Sequence, residues 1–246
     1  MASDVKHPTW LPRILRVPPR ALRQARAFTR RTLGDTLDRA LRVPGWLHPD
    51  QAALLCYGAH RCPDGLIVEI GSFKGRSTVF IAKGMKPTNR LHAVDPHLGG
   101  TIGSRADVAA AKRLGTDNEF KPDSWSVFND TLDTWEIKDS VHIIRGYSHD
   151  ARADWSEPIA MLWVDGDHRY DAVRQDIDDW VPLTCPGALV AFHDTHPNYG
   201  SDPGRSVRAA ILDSGMLSSG QFETFLELRN LWMMRRVSSM PAARTH

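Results

Sequence analysis

Only three cysteines, Cys56, Cys62 and Cys185, occur among the 246 residues, and they show no paired metal-ligand spacing. A disulfide-stapled scaffold and a cysteine-held zinc site therefore have no support, and a reducing compartment is expected. No run of about 18 apolar residues is present, and no apolar region of about 7–15 residues precedes a cleavage site near the N-terminus. The expectation is a soluble, cytoplasmic protein with no membrane association. Repeats and low-complexity tracts are missing as well. So are the G-x-G-x-x-G fingerprint of dinucleotide-binding folds and the G-x-x-x-x-G-K phosphate loop, since Lys74 precedes Gly75. With 41% hydrophobic and 24% charged residues, the composition is that of a globular protein able to bury a real core.

The formal net charge of +2 hides an asymmetry, because residues 1–46 carry +7 and the remainder −5. An acidic body lacking an aromatic and basic platform argues against a nucleic-acid partner. The basic segment begins with a proline-rich stretch, residues 1–18, expected to be an irregular arm. From Pro19 onward, Leu22, Ala25, Phe28 or Thr29, Leu33, Leu37 and Leu41 trace an apolar stripe, and Gly34 is placed to divide it into two helices. Three roles remain open for this N-terminal helical extension: a packed or dimer-forming appendage, a contact for an anionic membrane or polyanionic substrate, or a mobile cover over the site. A homodimer is expected from its spare amphipathic face.

Residues 47–246 read as one alternating α/β domain, with the chain organised around Leu66 to Thr78. Five residues of strand character, 66–70, enter a turn bounded by Gly71 and Gly75, and a helix follows to about Lys83. Gly71 would let the backbone pass close to a ligand. Residues 90–95 form a second strand ending in Asp95, where an acid can accept both hydroxyls of a ribose, so an adenosine-type cofactor is indicated. Helices are expected over 48–60, 106–114, 125–135, 171–180 and 205–213, with a glycine-rich loop over 96–104. Further strands are expected at 141–145, 159–164 and 187–192, the first part of a mostly parallel sheet. The segments 222–228 and 231–237, joined by Arg229-Asn230, fit an antiparallel hairpin at its edge.

Two wholly apolar strands end in Val164-Asp165-Gly166-Asp167-His168 and Phe192-His193-Asp194. Both endings lie at the carboxyl edge of the sheet, where open α/β sheets bind ligands. If Asp165 and Asp194 share a cavity, a divalent cation would offset their repulsion. Carboxylates favour Mg2+. A nitrogen from His193 would tilt the choice toward Mn2+, unless that side chain contacts the substrate instead. His168 has the chemistry of a base near neutral pH, and Asp167 competes for that role. His196 reads as structural, and Asp178 and Asp179 as solvated helix residues.

These motifs resemble the class I S-adenosylmethionine-dependent methyltransferases, in particular the metal-dependent O-methyltransferases that act on catechols, macrolide sugars and aminocoumarin sugars. The resemblance covers residues 50–236. It implies a Rossmann-like methyltransferase fold with a mostly parallel seven-stranded sheet, S-adenosyl-L-methionine as cofactor and Mg2+ (or Mn2+) as metal. Implied cofactor contacts are Glu69, Gly71, Ser72, Ser77, Asp95, Tyr147, Ser148 and Asp165. Implied metal ligands are Asp165 and Asp194, with His193 standing where these enzymes usually place another acid. His168 and Asp167 match the catalytic positions. The narrowest likeness, to actinobacterial sugar methyltransferases, implies a sugar or oligosaccharide acceptor, down to the 1-hydroxyl of a 3-O-methylmannoside. A catechol-like vicinal diol is the alternative acceptor, and a nicotinamide-dependent oxidoreductase the alternative enzyme. Metal-dependent hydrolysis would leave Glu69, Gly71 and Asp95 without a shared task.

Overall fold

The structure is a computed structural model that describes residues 19–98, 124–153, 155–196 and 206–237. The proline-rich arm, the expected helix over 106–114 and the glycine-rich loop beyond Leu98 lie outside the described residues. Seven strands form one sheet: β1 (Leu66–Ile70), β2 (Arg90–Val94), β3 (Val141–Ile144), β4 (Ile159–Val164), β5 (Thr184–Phe192), β6 (Phe222–Leu228) and β7 (Leu231–Arg236). Their order is β3-β2-β1-β4-β5-β7-β6. β1 to β5 pair in parallel, whereas β7 runs antiparallel to both β5 and β6. This is the expected Rossmann-like sheet with its C-terminal hairpin.

The uninterrupted apolar runs follow from the sheet's central strands being covered on both faces. Met161, Trp163, Leu189 and Ala191 enter one core cluster, while the intervening Leu162, Val164, Val190 and Phe192 enter the other. The helices are α1 (Pro19–Leu33), α2 (Leu37–Ala40), α3 (Pro49–Arg61), α4 (Arg76–Gly84), α5 (Ser124–Thr134), α6 (Ser148–Arg152), α7 (Tyr170–Trp180) and α8 (Val207–Asp213). Gly34, at φ 50°, opens a short 3₁₀ turn that separates α1 from α2. The apolar stripe that suggested a dimer packs within the chain: Ala25 and Leu33 join the core, Thr29 Oγ1 donates to Ala53 O at 3.3 Å, and Arg26 pairs with Asp50.

Two differences from the sequence reading have physical causes. β5 begins at Thr184 rather than Gly187, running through Pro186, and an irregular register opposite Ile159 and Met161 accommodates these first residues. The five-residue α6 was not expected, being too short to show a helical period.

Candidate active site

Gly71 leaves β1 at φ 87°, and its N–H donates to Val94 O at 2.9 Å. A side chain there would drive a Cβ into the Asp165 carbonyl and to 2.7 Å from the Gly166 Cα. The neighbour that requires glycine is thus the backbone at the end of β4, where the sequence reading placed a ligand. Asp165 N–H donates to Ile70 O at 2.9 Å and His193 N–H to Val164 O at 3.1 Å, so the ends of β1, β4 and β5 lie side by side.

Glu69 lies on the β1 face toward α4 and is 0% exposed. Ser77 Oγ donates to its Oε1 at 2.5 Å and Thr78 Oγ1 to its Oε2 at 2.6 Å. Burial pushes the carboxyl up to about 7, against the pull of those hydroxyls. Glu69 and Ser77 therefore pin the start of α4 to β1. Asp95 joins two loops: Oδ2 accepts from Phe73 N–H at 2.8 Å and Oδ1 from His97 N–H at 2.6 Å. Each oxygen keeps a further lone pair. Ser72, on the same turn, is buried.

Tyr147 and Ser148 stand just beyond β3. The Tyr147 ring is 51% exposed and stacks on His149. Ser148 Oγ donates inward to Asp176 Oδ1 at 2.5 Å, and burial pushes that acid up to about 6.

The second region brings four predicted residues together. His193 Nδ1 lies 3.1 Å from Asp165 Oδ1 and 3.5 Å from Asp194 Oδ2. His168 Nδ1 lies 3.1 Å from Asp194 Oδ2, and its Nε2 3.5 Å from Asp165 Oδ1. Burial raises the Asp165 carboxyl, but His193 and His168 outweigh it and hold it at about 2. Burial likewise opposes a charged His193, yet Asp165 and Asp194 push that imidazole up to about 10. Ligand atoms of Asp165, His168 and Asp194 all lie within 4.8 Å of one another. The nitrogen of that trio is His168's. His193 sits deeper, 4% exposed against 37% for the His168 side chain, with Trp163 beside it.

Asp167 is drawn away from this cluster. It accepts a fork of hydrogen bonds from the Arg169 guanidinium and another from Arg169 N–H at 2.9 Å. Burial raises its carboxyl, but Arg169 more than reverses that.

Several neighbours had no signal in the sequence. Asn230, in the β6–β7 turn, donates through Nδ2 to Asp194 Oδ1 at 2.7 Å. Gln51, on α3, donates to Asn230 Oδ1 at 2.5 Å. Trp46, 48% exposed, stacks on Phe73 with centroids 5.3 Å apart, and Arg76 holds the same segment by donating to Val43 O and Leu47 O. The chain ahead of α3 thus sits over the turn that follows β1.

A parallel sheet with a reversed last strand, a glycine turn after β1 and an acid after β2 defines a Rossmann-like methyltransferase architecture. Residues 68–195 match a family described as a methyltransferase domain, and the chain belongs to that family. Among solved structures it is similar to the O-methyltransferase NovP, with 14% identity and a TM-score of 0.61 over 89% of this chain and 100% of that one. It is also similar to the O-methyltransferase TomG from Streptomyces achromogenes, involved in tomaymycin synthesis and solved with SAM, at 15% identity and TM-score 0.53 over 92% of each chain. An O-methyltransferase from Bacillus cereus, solved with SAH, matches at 16% identity and TM-score 0.52, over 86% of this chain and 91% of that one. At such identities the likeness establishes the fold.

Proposed function

We propose that this chain is a cation-assisted O-methyltransferase that moves the methyl group of S-adenosylmethionine to a hydroxyl of a sugar or sugar-containing metabolite. The observation that carries this reading is the convergence of Asp165, His168 and Asp194 within 4.8 Å beside the Gly71 turn. A half-buried and a buried carboxylate, each held against imidazoles, form a donor set suited to a hard or borderline divalent cation. Asp165 and Asp194 would hold Mg2+ or Mn2+ with His193 as the nitrogen donor. That ion would supply Lewis-acid charge, lowering the cost of ionising the acceptor hydroxyl.

The chain's own residues do the rest. Asp95 would accept the ribose hydroxyls of the methyl donor, and the turn from Gly71 to Gly75 would hold that donor beside the acid cluster. As the oxygen–methyl bond forms and the sulfur–methyl bond breaks, the acceptor proton passes to His168, whose partial exposure lets it return the proton to water. The products are a methyl ether and S-adenosylhomocysteine. Such alignment contributes up to about 7–11 kcal/mol in favourable cases. Support for a sugar acceptor comes from the Asp165-Gly166-Asp167-His168 motif, and at its narrowest the acceptor is the 1-hydroxyl of a 3-O-methylmannoside. A second reading makes His168 the nitrogen donor, favoured by its place in the three-residue cluster.

Turnover with methyl-labelled S-adenosylmethionine, a panel of methylmannosides and catechols, and saturating Mg2+ tests the proposal. Asp165→Ala is expected to lose about 10³-fold or more in kcat. Turnover equal to wild type would remove the cation assignment. His168→Ala should lose about 10²-fold while binding Mn2+ as tightly as wild type. Lost Mn2+ affinity in that variant selects the second reading.

A further inference from the structure

Three hydrogen bonds run in one direction from the start of α3 to the acid cluster. His48 N–H donates to Gln51 Oε1 at 2.9 Å, Gln51 Nε2 to Asn230 Oδ1 at 2.5 Å, and Asn230 Nδ2 to Asp194 Oδ1 at 2.7 Å. An amide can usually be turned over without visible consequence, but here both ends are fixed by chemistry. A backbone N–H can only donate and an ionised carboxylate can only accept, so each amide between them has one allowed orientation. Gln51 is 1% exposed and Asp194 is buried at the other end, with Asn230 half-buried between them. The Asn230 carbonyl is engaged too, accepting from Thr195 N–H at 3.1 Å, which ties the hairpin turn to the residue after Asp194.

We propose that Gln51 and Asn230 are positioning residues that dictate which oxygen of Asp194 is offered to the cation. This inference rests on the reading of Asp194 as a cation ligand and adds two residues from opposite ends of the chain to it. With Oδ1 capped by Asn230, Oδ2 is the oxygen turned toward the cluster, 3.1 Å from His168 Nδ1 and 3.5 Å from His193 Nδ1. Asp194 itself stands at φ 53°, a backbone conformation that its neighbours must hold in place. Removing the cap frees the carboxylate to rotate and lets both oxygens compete for the imidazoles, so the cation meets a site that must first be reorganised.

The competing account is a plain staple joining α3, the hairpin turn and β5, and it predicts different measurements. Mn2+ affinity is read by electron paramagnetic resonance titration of the full chain. S-adenosylmethionine affinity is read by calorimetry without metal. Thermal midpoints are recorded alongside. Asn230→Ala is expected to weaken Mn2+ binding about 10–100-fold, the usual cost of losing a partner behind a metal ligand. Gln51→Met, which fills the same space without donating, should weaken it in the same direction by less. Because the two act in series, the double variant should be no worse than Asn230→Ala alone. Cofactor affinity should stay within about twofold. If Asn230→Ala does not fold, Gln51→Met carries the test.

Wild-type Mn2+ affinity retained in both variants overturns the relay while leaving the proposed function standing. Mn2+ and cofactor affinity falling together, or additive losses in the double variant, overturns it in favour of the staple. A wild-type chain that binds no Mn2+ at about millimolar concentration removes the cation reading itself, and the relay with it.

Discussion

Glu69 at the end of β1 and Asp165 at the end of β4 are close neighbours on adjacent strands, yet their surroundings drive them in opposite directions. Burial lifts the Glu69 carboxyl to about 7, and the hydroxyls of Ser77 and Thr78 only partly offset it. Asp165 meets the imidazoles of His193 and His168, and its carboxyl is held at about 2. Hydroxyl donors satisfy lone pairs without cancelling charge, whereas an imidazolium does both. The β1 side is therefore a finished piece of structure whose partners are all its own. The β4–β5 side sets two carboxylates against two imidazoles, and an added cation can take over part of that charge balance. One region builds the pocket and the other carries the exchangeable charge.

The largest expected effect breaks the boundary between them. Gly71→Ala combines a positive φ with a Cβ driven against the Asp165 and Gly166 backbone. Neither obstacle is the end of a flexible side chain, so the strands must part. A loss of about 3 kcal/mol or more is expected in urea unfolding, together with loss of cofactor binding. A variant of wild-type stability would show that the two regions are not locked together as described.

A smaller and more specific effect separates them by pH. Glu69 has a folded carboxyl near 7 against 4.5 unfolded. Below about 4.5 it is protonated in both states and neutral to stability. As pH rises toward about 7, the unfolded chain ionises while the folded chain stays protonated, so stability falls across that window and levels off above it. The magnitude is about 3 kcal/mol. Glu69→Gln removes the ionisation, so the stability difference between variant and wild type should grow in the variant's favour between about pH 4.5 and 7. A constant difference across that range would mean that Glu69 is ionised when folded, as Asp165 is.

These contrasts also mark how far the sequence could be read. Strands covered on both faces leave long apolar runs, unbroken in 159–164 and interrupted only by Glu69 in 66–70, so both were visible with their ends, and the acids closing β4 and β5 stood out against them. The bonding partners were not visible. Gln51 and Asn230 are 179 positions apart, and neither residue type advertises chemistry on its own. Asp176 carries no signal of its own on α7, because nothing in the local pattern shows that Ser148 closes over it. Gly71 is read from the sequence as a place where the backbone could pass close to a ligand, and the structure adds a second demand on it. Its close neighbour comes from a strand nearly a hundred residues later, and local sequence describes only the near side of such a contact.

The smallest expected effect concerns Asp167, which belongs to neither region. Its carboxylate is turned to Arg169, whose side chain is 73% exposed. Surface pairs of this kind contribute about 0–1 kcal/mol, so Arg169→Ala should leave the thermal midpoint almost unchanged. Its value lies in what the freed carboxylate then does. With His168 as proton acceptor, releasing Asp167 moves a group that takes no part in the transfer, and kcat should change by less than about twofold. With Asp167 as acceptor, Arg169 is a partner that holds down its basicity, and removing it should raise kcat severalfold at neutral pH and shift the acid limb of the pH–rate profile upward. Measuring that profile in Arg169→Ala beside wild type decides between the two candidate bases of one motif without touching either.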